Sequence, residues 1–414
     1  MEQLKKGYKK TEVGVIPEDW DLKYLGEVGE VKMCKRIFSY QTKETGQIPF
    51  FKIGTFGKEP DAFITRELYD LFRKRFSFPS YGSILISAAG TVGRTIVYNG
   101  EDAYFQDSNI VWIENNLKVI SNDYLLHVFP KIKFTTEGGT IQRLYNSILK
   151  SGMFACPTHS EQKAIADALT DVDELITNLE KLIAKKKAIK QGAMQQLLTP
   201  PHKGGKRLEG FSGDWEKVKL GKLGNTFGGL SGKTKRDFVN GMYPYITFLN
   251  VMNNTIINRN EFGLVSIKNN EKQNQTQLGD LFFNTSSETP EEVGMCAVLL
   301  DEIPNLYLNS FCFGFRLNDR HDISGLFLSY YFNSPVGRQH FLSLAQGATR
   351  YNLSKSNFNL IEFYLPIIEE QNAIASFFID IDIELDLFNK KLKKFQQVKQ
   401  GMMQELLTGK TRLI

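Results

Sequence analysis

Lysine and arginine stand beside amides and hydroxyls in several short stretches of this 414-residue chain, a mixture suited to one kind of chemistry. In the first part these are Lys35-Arg36, Arg73-Lys74-Arg75, Arg94 and Gln142-Arg143. In the second they are Lys233-Thr234-Lys235-Arg236, Asn250, Asn253 and Arg350-Tyr351-Asn352. Cationic ends neutralise phosphates; a forked guanidinium or an ammonium matches the edge of guanine, and a carboxamide matches adenine. Each residue alone is an ordinary solvated side chain, so the clusters carry the reading. The net charge of +5 permits a polyanionic partner without requiring one.

Other chemistry finds less support. GGLSGKT at 228–234 imitates a phosphate-binding loop, but position 227 is Phe where that loop needs Gly, and the insert is one residue short. Pro17-Glu18-Asp19 followed by Glu30-Val31-Lys32 imitates a metal-dependent nuclease, yet Glu30 and Lys32 have Asn225 and Phe227 as counterparts in the repeat described below. The histidines (127, 159, 202, 321 and 340) and cysteines (34, 156, 296 and 312) are scattered, without ligand or triad spacing. The cysteines read as thiols in a reducing compartment. Thr199-Pro200-Pro201-His202 is a helix exit and not a methylase motif. The opening MEQLKKGYKKTEVGVIPEDW is basic but lacks a signal's apolar stretch, and no run suffices to span a bilayer. The cytoplasm is the expected location, with no membrane partner.

The basic clusters must be positioned by larger elements, and those elements are duplicated. At an offset of 209, Pro157, Glu161-Gln162 and Ala164-Ile165-Ala166 fall on Pro366, Glu370-Gln371 and Ala373-Ile374-Ala375. Asp171 and Asp173 fall on Asp380 and Asp382, and KQGAMQQLLT on KQGMMQELLT. Upstream, Gly138, Thr140, Leu144 and Ser147 meet Gly347, Thr349, Leu353 and Ser356. The front parts match at an offset of 195, where Asp19-Trp20 and Leu25-Gly26 meet Asp214-Trp215 and Leu220-Gly221. The order is head, tail, head, tail.

The tails have a heptad rhythm. Ile165, Leu169, Val172, Ile176, Leu179 and Ile183 are spaced 4, 3, 4, 3, 4, as are Ile374, Phe378, Ile381, Leu385, Phe388 and Leu392. Pro200-Pro201 and Gly409 stop the two helices. A helix with one apolar stripe must bury it. Two copies returning through a globular head can pair antiparallel; the other possibility is that each stripe packs on its own head. The first seam falters at Lys186 and Lys190.

The heads are strand-rich, as SILISAAGTVGRTIVY and LGDLFFNTSS indicate. The expected fold class is α+β: two strand-rich α/β heads, two long antiparallel coiled-coil helices and a pseudo-twofold internal repeat. The expected divisions are 1–156, 157–199, 200–365 and 366–414. Two heads on an antiparallel rod suit two half-sites on a duplex, whose strands are also related by twofold axes.

GYKKTEVGVIPEDWDLKYLGEV and RLEGFSGDWEKVKLGKL, with PTHSEQKAIADALTDVDELI and PIIEEQNAIASFFIDIDIEL and the two tail endings, resemble the specificity subunits of type I restriction–modification systems. The resemblance covers nearly the whole chain. It implies two target-recognition domains, each reading half of a split double-stranded DNA site. It implies that the helices act as a ruler and as the dock for two methylation (M) subunits, with restriction (R) subunits joining the complex. It implies no catalysis here and no cofactor, with S-adenosylmethionine, ATP and magnesium confined to partners. Two readings stand beside it: a free-standing DNA-binding regulator, and a coiled-coil scaffold whose heads bind protein.

Overall fold

The computed structural model describes residues 6–134, 143–268, 270–319, 321–347 and 350–414. It divides into two compact units, one of Met1–Glu180 with Lys391–Ile414 and one of Lys181–Lys390. The division cuts across both tails. Each unit holds a head, the start of that head's own tail and the end of the other.

The heads share a frame. In the first, Gly29–Met33, Ile110–Asn115, Ile84–Ser87 and Thr95–Val97 form an antiparallel sheet in that order. In the second, Gly224–Gly228, Cys312–Leu317, Leu281–Asn284 and Cys296–Val298 repeat it. Ile84–Ser87 and Leu281–Asn284 are buried along their length, which explains why they read as apolar runs rather than alternating ones. A three-stranded sheet follows the same plan in both, one antiparallel and one parallel pair around Ile48–Phe51 or Tyr243–Ile246. A two-strand ribbon leads into each tail: Met153–Cys156 against Asp21–Tyr24, and Glu362–Leu365 against Glu216–Lys219.

The tails are 39-residue helices, His159–Leu197 and Ile368–Leu406. Each begins inside its head's core. Ile165, Ala166 and Leu169 cluster with Trp20, Val28, Tyr124 and, from the end of the second tail, Leu406 and Leu407. Ile374, Ala375 and Phe378 cluster with Trp215, Phe327, Tyr330 and, from the end of the first tail, Leu197 and Leu198. Both expectations for the stripe therefore hold in part: its opening turns pack on the head, and the opposite tail completes the same core. Farther along, Leu179, Ile183, Ile381 and Leu385 are buried, while Val172, Ile176, Phe388 and Leu392 are half-buried.

The lysines that interrupt the first seam are not flaws in it. Lys186 pairs with Glu384 at 2.6 Å and Lys190 with Asp382 at 2.5 Å. Rising numbers on one helix meet falling numbers on the other, so the helices run antiparallel. In the other unit Lys399 pairs with Asp173 at 2.5 Å, the equivalent of Lys190 and Asp382 under the offset of 209. Such half-exposed pairs contribute at most about 1 kcal/mol each. Their value is in register, since a slip of one heptad would break them while leaving apolar residues facing.

Each Asp of these pairs also receives a head residue. Tyr330 donates its hydroxyl to Asp382 at 2.8 Å. His127 stands 3.9 Å from Asp173 and 3.2 Å from the Thr170 hydroxyl, with its side chain 4% exposed. Burial holds the His127 imidazole below its ordinary value of 6.5; Asp173 opposes that shift, and Lys399 adds to it. Burial likewise lowers His340 in the other unit.

The unfolded chain therefore takes up protons below about pH 6.5 that these imidazoles in the fold do not. Stability is expected to be full above that pH and to fall as pH drops toward the depressed folded values. His127→Gln should flatten the fall for the first unit and His340→Gln for the second, read as thermal midpoints between pH 7.5 and 5.5. A fall unchanged in the double variant would contradict the assignment.

The start of each tail carries a buried acid. Arg412 donates Nε to Glu161 Oε1 at 2.7 Å and Nη2 to Oε2 at 2.9 Å, and holds Asp19 through two further bonds. Arg207 holds Glu370 in the same fork, with Nε to Oε1 at 2.9 Å. Glu161 is 3% exposed and Glu370 fully buried. Breaking a buried pair from one side costs about 3–5 kcal/mol. Glu370→Ala should lower the melting midpoint by of the order of 10 °C and Glu161→Ala comparably, as scanning calorimetry would show.

Candidate nucleic-acid interface

Each head has one ledge built the same way. After the central strand, the chain makes a loop, and the segment that leads toward the tail pairs with that loop. In the first head Arg143 bridges Ala89, and the Leu144 amide donates to the Ala88 carbonyl at 2.8 Å. In the second, Tyr351–Asn352 pair with Ser286–Ser287, and the Leu353 amide donates to the Thr285 carbonyl at 2.9 Å. Arg143 and Asn352 thus hold equivalent places.

Around the first ledge two of the expected cations converge on one turn. Arg36 donates to Asp107 at 2.7 Å, and Arg143 reaches the Ser108 carbonyl at 3.5 Å. Ser108 has φ 52, a left-handed conformation that gives the turn a tight bend. The Arg143 guanidinium lies 5.9 Å from the exposed Tyr145 ring. Beyond Arg36, the stacked rings of Phe38 and Tyr40 are 51% and 82% exposed. Gln142 lies outside the described residues.

The other first-head cations sit elsewhere. Arg73 shares Asp102 with Arg66 and leans on Tyr69, and Lys35 lies over Phe76 at the end of the same helix, Arg66–Arg75. Arg66 and the Tyr69 hydroxyl hold the Asp102 carboxyl below the usual range. Lys74 and Arg75 are exposed in the last turn, where cations favour the helix dipole. Arg94 is exposed and reaches the Gly57 carbonyl at 3.4 Å.

In the second head the Arg350 guanidinium lies over Phe311 at 5.6 Å, and Asn352 donates to the Arg350 carbonyl at 3.2 Å. Lys235 and Arg236 are exposed on a separate turn, Lys235–Phe238. Two expected residues face inward, and both readings are corrected. The Lys233 side chain is 4% exposed, paired with Glu271 and donating to the Ser266 carbonyl at 2.6 Å, so it ties its own loop to the 266–271 segment. Asn250 is fully buried and ties its own helix to the Asn258 backbone through two bonds, 2.8 and 2.9 Å. Lys233 also occupies the phosphate-loop imitation, so that loop's ammonium is already satisfied by protein groups.

Several residues beside the ledges stand outside the basic clusters of the sequence. The 286–292 loop presents Glu288 and Glu291, and Arg338 supports its backbone, donating to the Gly294 carbonyl at 2.8 Å and to the Glu291 carbonyl at 2.9 Å. Burial without a carboxylate lowers the Arg338 guanidinium to about 10. Carboxylates can accept from cytosine, so an acidic ledge is compatible with base reading. No motif in the sequence marks Glu288, Glu291 or Arg338. Among the described residues no three His, Cys, Asp or Glu side chains gather as a metal site, and no helix is long and apolar enough to cross a membrane.

Comparison with known proteins agrees with this duplicated plan. The family profile described as type I restriction modification DNA specificity domain matches residues 17–191 and again 212–397. A Haemophilus influenzae protein named as a type I restriction enzyme specificity subunit is 52% identical over 155 residues, 37% of this chain and 40% of that protein. The chain thus spans well under half of that relative in the match. The MjaVIII specificity subunit of Methanocaldococcus jannaschii is 24% identical over 424 residues, 96% of this chain and 94% of that one. The solved type I restriction–modification S subunit from M. genitalium has the same fold, with a TM-score of 0.59 at 16% identity over 98% of both chains. With two copies of its domain covering most of the sequence, this chain belongs to the type I restriction–modification DNA specificity family.

Proposed function

We propose that this chain is the non-catalytic reading subunit of a type I complex, each head recognising one half of a split duplex site. The observation that carries the reading is the repeated ledge, where half-buried Arg143 and exposed Asn352 hold equivalent places, beside exposed Arg36 and exposed Arg350, on two otherwise diverged heads. The antiparallel tails act as a ruler for the unread spacer. They also dock two methylation subunits; Leu182 and Ile189, seven apart on the first tail and 38% and 45% exposed, supply apolar surface for that purpose. Restriction subunits join the same core. Adenine methylation with S-adenosylmethionine, and ATP- and magnesium-dependent cleavage, belong to the partners. Mapping methylated adenines in cells that carry the complete system tests the whole reading, since it returns both half-sites and the spacer.

Charge reversal at Arg36 or Arg143 is expected to relax one half-site only, and reversal at Lys235 or Arg350 the other, by about 1–3 kcal/mol per base position. Binding titrations against half-site variants measure this. Equal weakening on every sequence, with a smaller salt slope, would make the residue a phosphate contact.

Inserting whole heptads into both tails should change the tolerated spacer, scored by binding to sites of graded spacing. An unchanged optimum would remove the ruler.

A further inference from the structure

Each unit has a cleft between its head and the end of the tail that arrives from the other half of the chain. In the first unit it measures about 360 Å³ and is walled by Phe154 of the tail ribbon, by Gln404 and Thr408 of the second tail, and by Lys410. In the second it measures about 320 Å³ and is walled by Phe363, by Gln195 and Thr199 of the first tail, and by Lys203. Phe154 and Phe363, Gln404 and Gln195, and Thr408 and Thr199 are all counterparts at the offset of 209. The threonines close their helices alike, each hydroxyl donating at 2.6 Å to the carbonyl of the glutamine in its cleft. The lysine is the first cation after each tail.

We infer that these two clefts are twin anchor sites for one segment of the methylation subunit, an apolar side chain beside a carboxylate, taken once by each unit. This rests on the docking reading above and gives it a location. A common ligand must use what the clefts share, and they share a buried aromatic floor, a carboxamide and an ammonium. The floor excludes a phosphate backbone, and the volume suits one or two side chains, not a duplex. Charge favours an acidic segment. The first rim adds exposed Lys131 and Lys133 against the single carboxylate of Glu12, and Glu362 at the second rim is paired with Lys217 at 2.6 Å. The loops of the two heads have diverged while the phenylalanine, glutamine and threonine of each cleft have not, as expected if two copies of the same partner bind.

The test uses the full chain with its methylation subunit and counts bound copies by native mass spectrometry and sedimentation. Gln404→Arg with Lys410→Glu alters the first cleft, and Gln195→Arg with Lys203→Glu the second; all four side chains are exposed, so the fold should tolerate them. Each paired variant is expected to bind one subunit at least tenfold more weakly while retaining the other, and the combined variant to lose both. The melting midpoint of the chain and its salt-dependent DNA binding should stay unchanged. Two copies bound undiminished by the combined variant would overturn the cleft assignment and leave the docking reading standing. A wild-type chain that binds no methylation subunit would overturn both. Loss of self-association in the variants, with subunit binding intact, would assign the clefts to a second copy of this chain and overturn the proposal.

Discussion

Everything in this fold hangs on a buried Glu-Gln pair at the start of each tail. The glutamine joins helix to head: Gln162 accepts from the Ser121 amide at 2.9 Å and donates to the Pro157 and Val119 carbonyls. Gln371 repeats this with Ser324 at 2.9 Å and Pro366 at 2.8 Å. Ser121 and Ser324 are themselves the caps of head helices. The glutamate joins the same point to the far end of the other tail, through Arg412 or Arg207. A buried carboxylate demands a cation, so neither tail start can be buried without the arginine that follows the opposite tail. Head, own tail and returning tail are thereby locked at one place in each unit.

The two locks differ in one detail. Trp20 donates its indole nitrogen to Glu161 at 2.9 Å, whereas Trp215 has no such bond and Arg207 instead reaches the Gly213 carbonyl. The first lock is closed by Arg412 against Asp19, and Tyr8 adds a hydroxyl bond to the Gly409 carbonyl at 2.8 Å. Gly409 adopts φ +67 there, and a Cβ on it would stand 2.5 Å from Pro17. In the second unit Pro200 and the 201–206 linker follow the tail, because the chain continues into the next head.

The frame is constant and the ledges vary, and the physics of each explains the difference. Strand order, ribbon and tail register are held by burial and by ion pairs whose partners must change together. Loops such as 88–93 and 286–292 answer to the surface they meet, which leaves Arg143 opposite Asn352 and a glycine-rich turn opposite an acidic one. Much of the frame was legible because repetition is visible at any spacing: the Glu-Gln motif, the heptads and the tail endings all stood out by recurrence. The meaning of Lys186 and Lys190 was not, since a lysine in an apolar seam looks like a defect until Glu384 and Asp382 are seen across from it. Lys233 and Asn250 misled for a related reason: residue type advertises chemistry, but only burial says whether it faces a partner.

What the amino-acid order determined alone was the plan: two heads, two helical tails, one apolar stripe on each, and a family likeness carried by motifs too regular to be accidental. Periodicity and recurrence are local properties and survive without coordinates. The tertiary structure decided how the plan is cut into units, which arginine satisfies which buried glutamate, which basic clusters share a ledge and where the twin clefts lie. The arginine and glutamate partners alone stand 163 and 251 positions apart, and no local pattern encodes a partner that distant.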